Sequence, residues 1–251
     1  MDIIIDIETL PCRAADPVWR ALADDRFSVD GYPGPPKNYK DPAKIEAHRQ
    51  KWVDELADKE EDARLKTSLN GSLGGIACIV LATRASDGWR FQSHHPPIGD
   101  PEVWGTPTWD RKLLRDFRLR FDSPRWVGWN VDFDVTFLIL RALALGFPLD
   151  LTFGALDAPK WERPIVDLAR LHPGSSTFGT GGGRYPMSLK HAWATTHSAR
   201  AVKDPDVSSG SDVARLLAEG KTADIVAHCM HDVEKTVDMY ERLAPMTKGL
   251  S

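Results

Sequence analysis

The sequence predicts an α/β fold: a sheet with helices packed on it. Three observations carry this. Ile3, Ile4, Ile5 and Ile7 form a β-branched run at the start of the chain, the pattern of a strand buried on both faces. Residues 125–130 form a second short apolar run that passes directly into a helical pattern. Val226, Cys229, Val233, Val237 and Tyr240 then recur at helical spacing in a long segment near the end. Strands first, followed by interleaved helices, point to helices covering a sheet.

In chain order, the first strand gives way at Pro11 to an irregular region reaching about residue 40, with a helical turn near 18–23 and a Gly/Pro cluster at 31–36. Asp41-Pro42 has the chemistry of a helix start, an N-cap followed by proline at the first helical position. Ile45, Trp52, Val53, Leu56 and Ala63 carry that helix to about residue 66, as one apolar stripe under a charged outer face. Residues 74–82 read as a second buried strand, and Asp87-Gly88 as the turn into a third over 89–93, making a hairpin. A helix follows over 109–121, then a strand over 125–130 and a helix over about 132–145, ended by Gly146 and Pro148. Residues 165–168 form a fifth short strand, and the Gly/Ser-rich stretch 175–185 a loop. Helices close the chain over 188–197, 211–219 and 222–243.

Composition narrows the classes. The chain has 251 residues, 42% hydrophobic and 27% charged, which suits one globular domain rather than a disordered segment. Its net charge of -4 argues against a protein living on non-specific duplex contacts, although local basic patches and bound divalent cations leave nucleic acid open. Cys12, Cys78 and Cys229 form no CxxC pair, so neither a disulfide framework nor a zinc site is indicated. No apolar run approaches the ~20 residues of a membrane span, and the chain opens on an acid-bearing strand rather than a signal peptide. The expectation is a cytoplasmic protein with no membrane partner.

The chemistry begins with Asp6 and Glu8. Strand side chains alternate faces, so these carboxylates point the same way out of an otherwise apolar strand. Close carboxylates repel, and either one takes up a proton or a cation sits between them. Oxygen donors of this kind suit Mg²⁺ or Mn²⁺; the alternative is an acidic strand end without function. Asp132 and Asp134 supply further acids at a strand-to-helix junction, with Asn130 as N-cap and Asp134 in the first helical turn. Asp132 also fits a simple partner of the helix dipole. On the last helix His228 and Asp232 are four apart and share a face, as a reactive pair or as two solvated side chains.

The order of these segments resembles the DnaQ-like, or DEDD, superfamily of 3′→5′ exonucleases, and the resemblance implies a ribonuclease-H-like mixed sheet flanked by helices, with a helical insertion after the first strand. Within it, the chain is most similar to predicted exonucleases related to the proofreading domain of family-B DNA polymerases. Residues 4–9 resemble the first motif, and Asn130-Val131-Asp132-Phe133-Asp134 the second, selecting Asp134 over Asp132. Residues 38–45 resemble an insertion found in those relatives, and Ser188-Leu189, Lys203, Gly210-Ser211 and Asp232-Val233 through Thr236 fit the remainder. The resemblance spans nearly all of 1–251 as a single domain, with the insertion over about 11–70. One departure stands out. The superfamily has Tyr four residues, or His five residues, before its last Asp; here His228 is four before Asp232 and Ala227 five before.

The resemblance implies a two-metal-ion exonuclease releasing nucleoside 5′-monophosphates from DNA or RNA, with a single-stranded 3′ end favoured over a blunt duplex. Asp6, Glu8, Asp134 and Asp232 would hold two Mg²⁺ or Mn²⁺ ions, and His228 would orient or deprotonate the attacking water, with His231 as the fallback. Thr9 and Leu10 would meet the terminal nucleotide, with Asn130 also on the substrate side; Phe133 either stacks on the substrate or packs in the core, and packing is favoured. Trp52 is the candidate stacking platform, while Trp126 and Trp129 are expected in the core. The alternatives are a binding module of the same fold that is weak or inactive in catalysis, and an oligonucleotide phosphodiesterase.

Overall fold

The computed structural model describes residues 2–118, 125–147, 165–172, 187–196 and 211–247. Its centre is β1 (Asp2–Leu10), third in a five-stranded mixed sheet. β2 (Gly75–Ala85) and β3 (Gly88–His94) lie on one side of it, and β4 (Arg125–Gly128) and β5 (Ile165–Asp167) on the other, in the order β3-β2-β1-β4-β5. β1 to β2 and β2 to β3 are antiparallel; β1 to β4 and β4 to β5 are parallel.

The isoleucine run makes β1 central because both its faces are covered. Ile3, Ile5 and Ile7 pack with Ile79 and Leu81 of β2 under α4 (Pro107–Arg118) and α5 (Val131–Ala144). Ile4 and Leu10 pack on the opposite face, under α9 (Thr222–Thr247), through Ile225, Cys229, Val233 and Val237. Burying each such aliphatic side chain stabilises by about 1.5–3 kcal/mol. α7 (Leu189–Thr196) and α8 (Ser211–Ala218) join α9 on this face through Leu189, Ala192, Val213 and Leu216. Asp6 and Glu8 share it with Ile4 and Leu10, since alternate strand residues point the same way.

Across the sheet a buried ion pair joins α4 to α5. Arg141 Nε donates to Asp110 Oδ2 at 2.7 Å, and Asp110 Oδ1 accepts the Ile76 N–H at 3.2 Å. At the far end of β1, Arg125 donates through Nε and Nη2 to both Asp2 oxygens, and the Tyr240 hydroxyl donates to the same carboxylate. Burial pushes the Asp2 pKa up, but these donors outweigh it and hold it below the usual carboxylate range.

The stretch between β1 and β2 is more helical than expected. The region read as mostly loop contains α1 (Pro17–Arg26), because Asp16 caps the N–H groups of Val18 and Trp19 while Trp19 and Ala23 bury against Cys12. The single helix expected to about residue 66 is two: α2 (Pro42–Asp54) and α3 (Leu56–Leu65), parting at Glu55. Neither buries a residue fully. Trp52 is not an open stacking platform: Lys59 Nζ sits 4.3 Å from its ring centroid, and the Tyr32 ring is 6.3 Å away. The insertion is tied back beside β1, where Arg64 Nη1 donates to Cys12 O at 2.6 Å and Thr67 Oγ1 accepts the Cys12 N–H at 2.8 Å.

β4 ends at Gly128, two residues earlier than the apolar run suggests, because Asn130 takes a left-handed backbone. α6 (Leu168–Leu171) is a single turn directly after β5. No described helix is long and apolar enough to cross a membrane. The Gly/Ser-rich stretch 175–185, Pro148, Lys203, Gly210 and the expected helix end at 119–121 lie outside the described residues.

Candidate active site

The acids meet where β1 outruns its neighbour. β4 pairs with β1 only over Asp2, Ile3 and Ile4, so among the described residues the backbone of β1 beyond Ile4 has no strand partner on that edge. The first turn of α5 fills the gap: Asp134 Oδ1 accepts the Ile7 N–H at 3.3 Å. Asp132, two residues earlier, pairs instead with Arg170, so the helix presents Asp134 and not Asp132 to β1. On the opposite edge, pairing with β2 shifts between Glu8 and Thr9, where Cys78 and then Ile76 are the partners. A bulge of this kind bends a strand and re-aims its side chains.

α9 supplies the rest from the sheet face that carries Asp6 and Glu8. His228 Nε2 is 3.4 Å from Glu8 Oε1 and 3.9 Å from Asp232 Oδ2. Cys229 Sγ is 3.2 Å from Asp6 Oδ2 and donates to it. Lys235 Nζ is 3.0 Å from Asp232 Oδ1, on a side chain only 9% exposed. Cys229 and Lys235 are the contributors that sequence reasoning missed. Their signal was spacing: each is three residues from Asp232, hence on its helix face. His231, the fallback base, keeps Nδ1 buried without a hydrogen-bond partner.

The acids feel one another. Burial pushes the Asp6 carboxyl up to about 8, helped by the Asp232 charge and opposed by the Cys229 thiol and Lys235. Glu8 is raised well above the usual range by burial, then by Asp6, Cys78, Asp232 and Asp134. Asp134 is raised in the same way, by burial and then Asp6, against the Ile7 N–H that stabilises its ionised form. Burial also raises the Cys229 thiol, as do Cys78, Asp6 and Glu8 around it.

Among the described residues, no group of three or more His, Cys, Asp or Glu side chains is already arranged to hold a metal ion. Oxygens of the acids are taken up by the Ile7 N–H, the Cys229 thiol and Lys235. The donor chemistry nonetheless fits a hard divalent cation, since oxygen donors dominate and the raised carboxyls mark negative charge that protons balance.

An open cleft of about 320 Å³ adjoins the acids, lined by Asp6 and Asp232 together with Trp129, Asn130, Ser188 and Leu189. Trp129, expected in the core, is half-buried at its wall, with Nε1 donating to Met187 O at 2.8 Å and the ring edge-on to His172. Asn130 reaches the cleft but is not the expected side-chain N-cap: it has φ 62, ψ 33 and makes no capping hydrogen bond. Phe133 does not line the cleft and packs on Phe137 in the opposite core. Thr9 Oγ1 donates to Ser68 O at 2.7 Å, tying β1 to the turn after α3. Leu10 is 2% exposed, a core side chain rather than a free wedge. It also borders a second cleft of about 550 Å³ at the end of β1, beside Arg13, Arg64 and Trp104.

No protein-family model matches this chain, and no curated protein or solved structure is significantly similar to it.

Proposed function

We propose that this chain is a metal-dependent 3′→5′ exonuclease that releases nucleoside 5′-monophosphates from DNA or RNA 3′ ends, single strands in preference to blunt duplex. One observation carries the reading: Asp6, Glu8, Asp134 and Asp232 come from β1, α5 and α9 to one place beside an open cleft, with His228 3.4 Å from Glu8. The sheet order, with β1 antiparallel to β2 and parallel to β4, is compatible with the ribonuclease-H-like fold that the resemblance implies.

Two divalent cations, Mg²⁺ or Mn²⁺, supply when bound the positive charge that an attacking water and a departing 3′-oxygen require. Asp6, Glu8, Asp134 and Asp232 would hold them. His228 would orient that water and accept its proton; its Nε2 lies 3.4 Å from Glu8 and 3.9 Å from Asp232, which supports this role. Asn130 and Ser188, polar residues of the cleft wall, would hold the terminal nucleotide, and Trp129, on the same wall, would give it an aromatic contact.

A second reading is favoured by one feature. Lys235 already pairs with Asp232 at 3.0 Å and balances its charge without a cation, as in a binding module without catalysis. Cleavage of 5′-labelled single-stranded DNA and RNA oligomers with Mn²⁺ or Mg²⁺ separates the two. The exonuclease reading expects a metal-dependent ladder shortening from the 3′ end, abolished by Asp6→Ala. Oligomers left intact by folded wild-type protein, with binding retained, would replace it by the module. Cleavage confined to the shortest oligomers would instead identify an oligonucleotide phosphodiesterase.

A further inference from the structure

Asn130 is the one non-glycine residue with a positive φ among the described residues. Asn tolerates the left-handed region better than most side chains, but the conformation persists only where the surroundings hold it. Here they do. The Asn130 N–H donates to Asp167 Oδ1 at 2.9 Å, and the same oxygen accepts the Ala169 N–H at 3.0 Å, so one carboxylate starts α6 and fixes the turn before α5. Asp167 Oδ2 lies 3.2 Å from Arg170 Nε, and Arg170 also pairs with Asp132 in the first turn of α5. The Asp167 side chain is 7% exposed, so water competes weakly for it.

The strand side of the junction has no slack. A Cβ at Gly128 would stand 2.9 Å from Ile5 O and 2.7 Å from Val131 Cβ. The path from β4 to α5 is therefore held from below by β1 and from the side by Asp167. Two side chains of the acid site leave this path within five residues: Asn130 into the cleft, and Asp134 onto the Ile7 N–H.

We propose that Asp167 is a positioning residue of the acid site. By accepting the Asn130 N–H it holds the left-handed turn that directs Asn130 into the cleft and sets Asp134 against β1. Asp167 does not line the cleft; its charge adds to the field that raises Asp134, and its hydrogen bonds go to the Asn130 and Ala169 N–H groups, so its positioning role runs through the backbone of Asn130. The catalytic readout of this assignment rests on the exonuclease reading, whereas its backbone readout does not.

The test uses the full chain as wild type, Asp167→Ala, Asp167→Asn and the double variant Asp167→Ala/Asn130→Gly. It measures ¹³C shifts at Asn130, Mn²⁺ affinity and cleavage. Asp167→Ala should move the Asn130 shifts out of the left-handed range and lower Mn²⁺ affinity and kcat by about 10–100-fold, the usual cost of losing a group that orients a ligand, with KM little changed. Asp167→Asn keeps an acceptor oxygen and should lie closer to wild type. Adding Asn130→Gly should recover Mn²⁺ affinity, because glycine takes the left-handed turn without help. It should not recover full cleavage, because the Asn130 side chain is gone. Left-handed Asn130 shifts and wild-type Mn²⁺ affinity in Asp167→Ala would overturn the proposal, as would a double variant no better than the single. Should Asp167→Ala not fold, Asp167→Asn decides: an Asn130 turn lost although the acceptor remains overturns it. A wild type that neither binds Mn²⁺ nor cleaves sinks the exonuclease reading instead, and the Asn130 shifts then decide the positioning role alone.

Discussion

Asp6 is the acid that acts on both Glu8 and Asp134, raising each by its charge. It shares a strand face with Glu8, takes the Cys229 thiol on Oδ2, and is raised by the Asp232 charge. Asp6→Ala removes the acid common to all of these, and isothermal titration should record a loss of Mn²⁺ binding along with the loss of cleavage. His228 is the residue whose type departs from its spacing. His228→Ala should lower kcat by about 10²–10⁴-fold if the imidazole takes the proton in the rate-limiting step, with Mn²⁺ affinity kept.

At the scale of elements, α5 matters because it serves both the core and the site. Its buried face, with Val135, Leu138 and Ala142, packs on the Ile3–Ile5–Ile7 side of β1, and its first turn presents Asp134. The Arg141–Asp110 pair locks its other end to α4 and, through Ile76, to β2. Arg141→Ala would leave Asp110, which has no exposed surface, as an unpaired buried acid. Breaking such a pair from one side costs about 3–5 kcal/mol, and urea unfolding should show it as a lower midpoint with an unchanged slope. Arg141→Met/Asp110→Asn should recover part of that loss, because neither side then buries a charge. The insertion helices contrast with this. α2 and α3 bury no residue fully, so exposed-face substitutions such as Lys44→Ala should stay within about 0.5 kcal/mol.

At the scale of the whole molecule the clustered acids make stability depend on pH and on cations. Asp6 rises from 3.8 to about 8, and Glu8 and Asp134 move the same way. The folded, metal-free chain therefore holds protons that the unfolded chain has released over that range. Stability from this source is full below pH ~4 and is lost as pH climbs toward ~8. With a chelator present, the melting temperature should fall between pH ~6 and pH ~8. Mn²⁺ should raise it, and raise it more at the upper end, since a ligand of the native state stabilises by mass action and the carboxylates are then free of protons. A melting temperature indifferent to both pH and Mn²⁺ would mean that the four acids do not share one field.

Local periodicity was enough to place several features of this protein. The strand period of two put Asp6 and Glu8 on one face, and the helical period put His228 and Asp232 on another. The isoleucine run, the Asp87-Gly88 turn and the apolar stripe of α9 likewise marked their elements without any tertiary information. The helix count of the insertion was only partly read: Asp16-Pro17 carries the same N-cap and proline signal as Asp41-Pro42 and marks the start of α1, whereas the parting at Glu55 has no side-chain cap to mark it. What only the tertiary structure decided were the relations between distant segments. β1 extends beyond β4, which is why an acid 127 residues away caps the Ile7 N–H. Asn130 turns left-handed because Asp167, from another strand, accepts its N–H, and that turn leaves its side chain to the cleft rather than to a helix cap. Cys229 belonged by spacing to the apolar stripe, and only packing of α9 on β1 brought its thiol to Asp6, whereas the Lys235–Asp232 pair is local to α9. A side chain's face follows from the backbone repeat of its own element, whereas its partner follows from how far the neighbouring elements reach, which no single segment encodes.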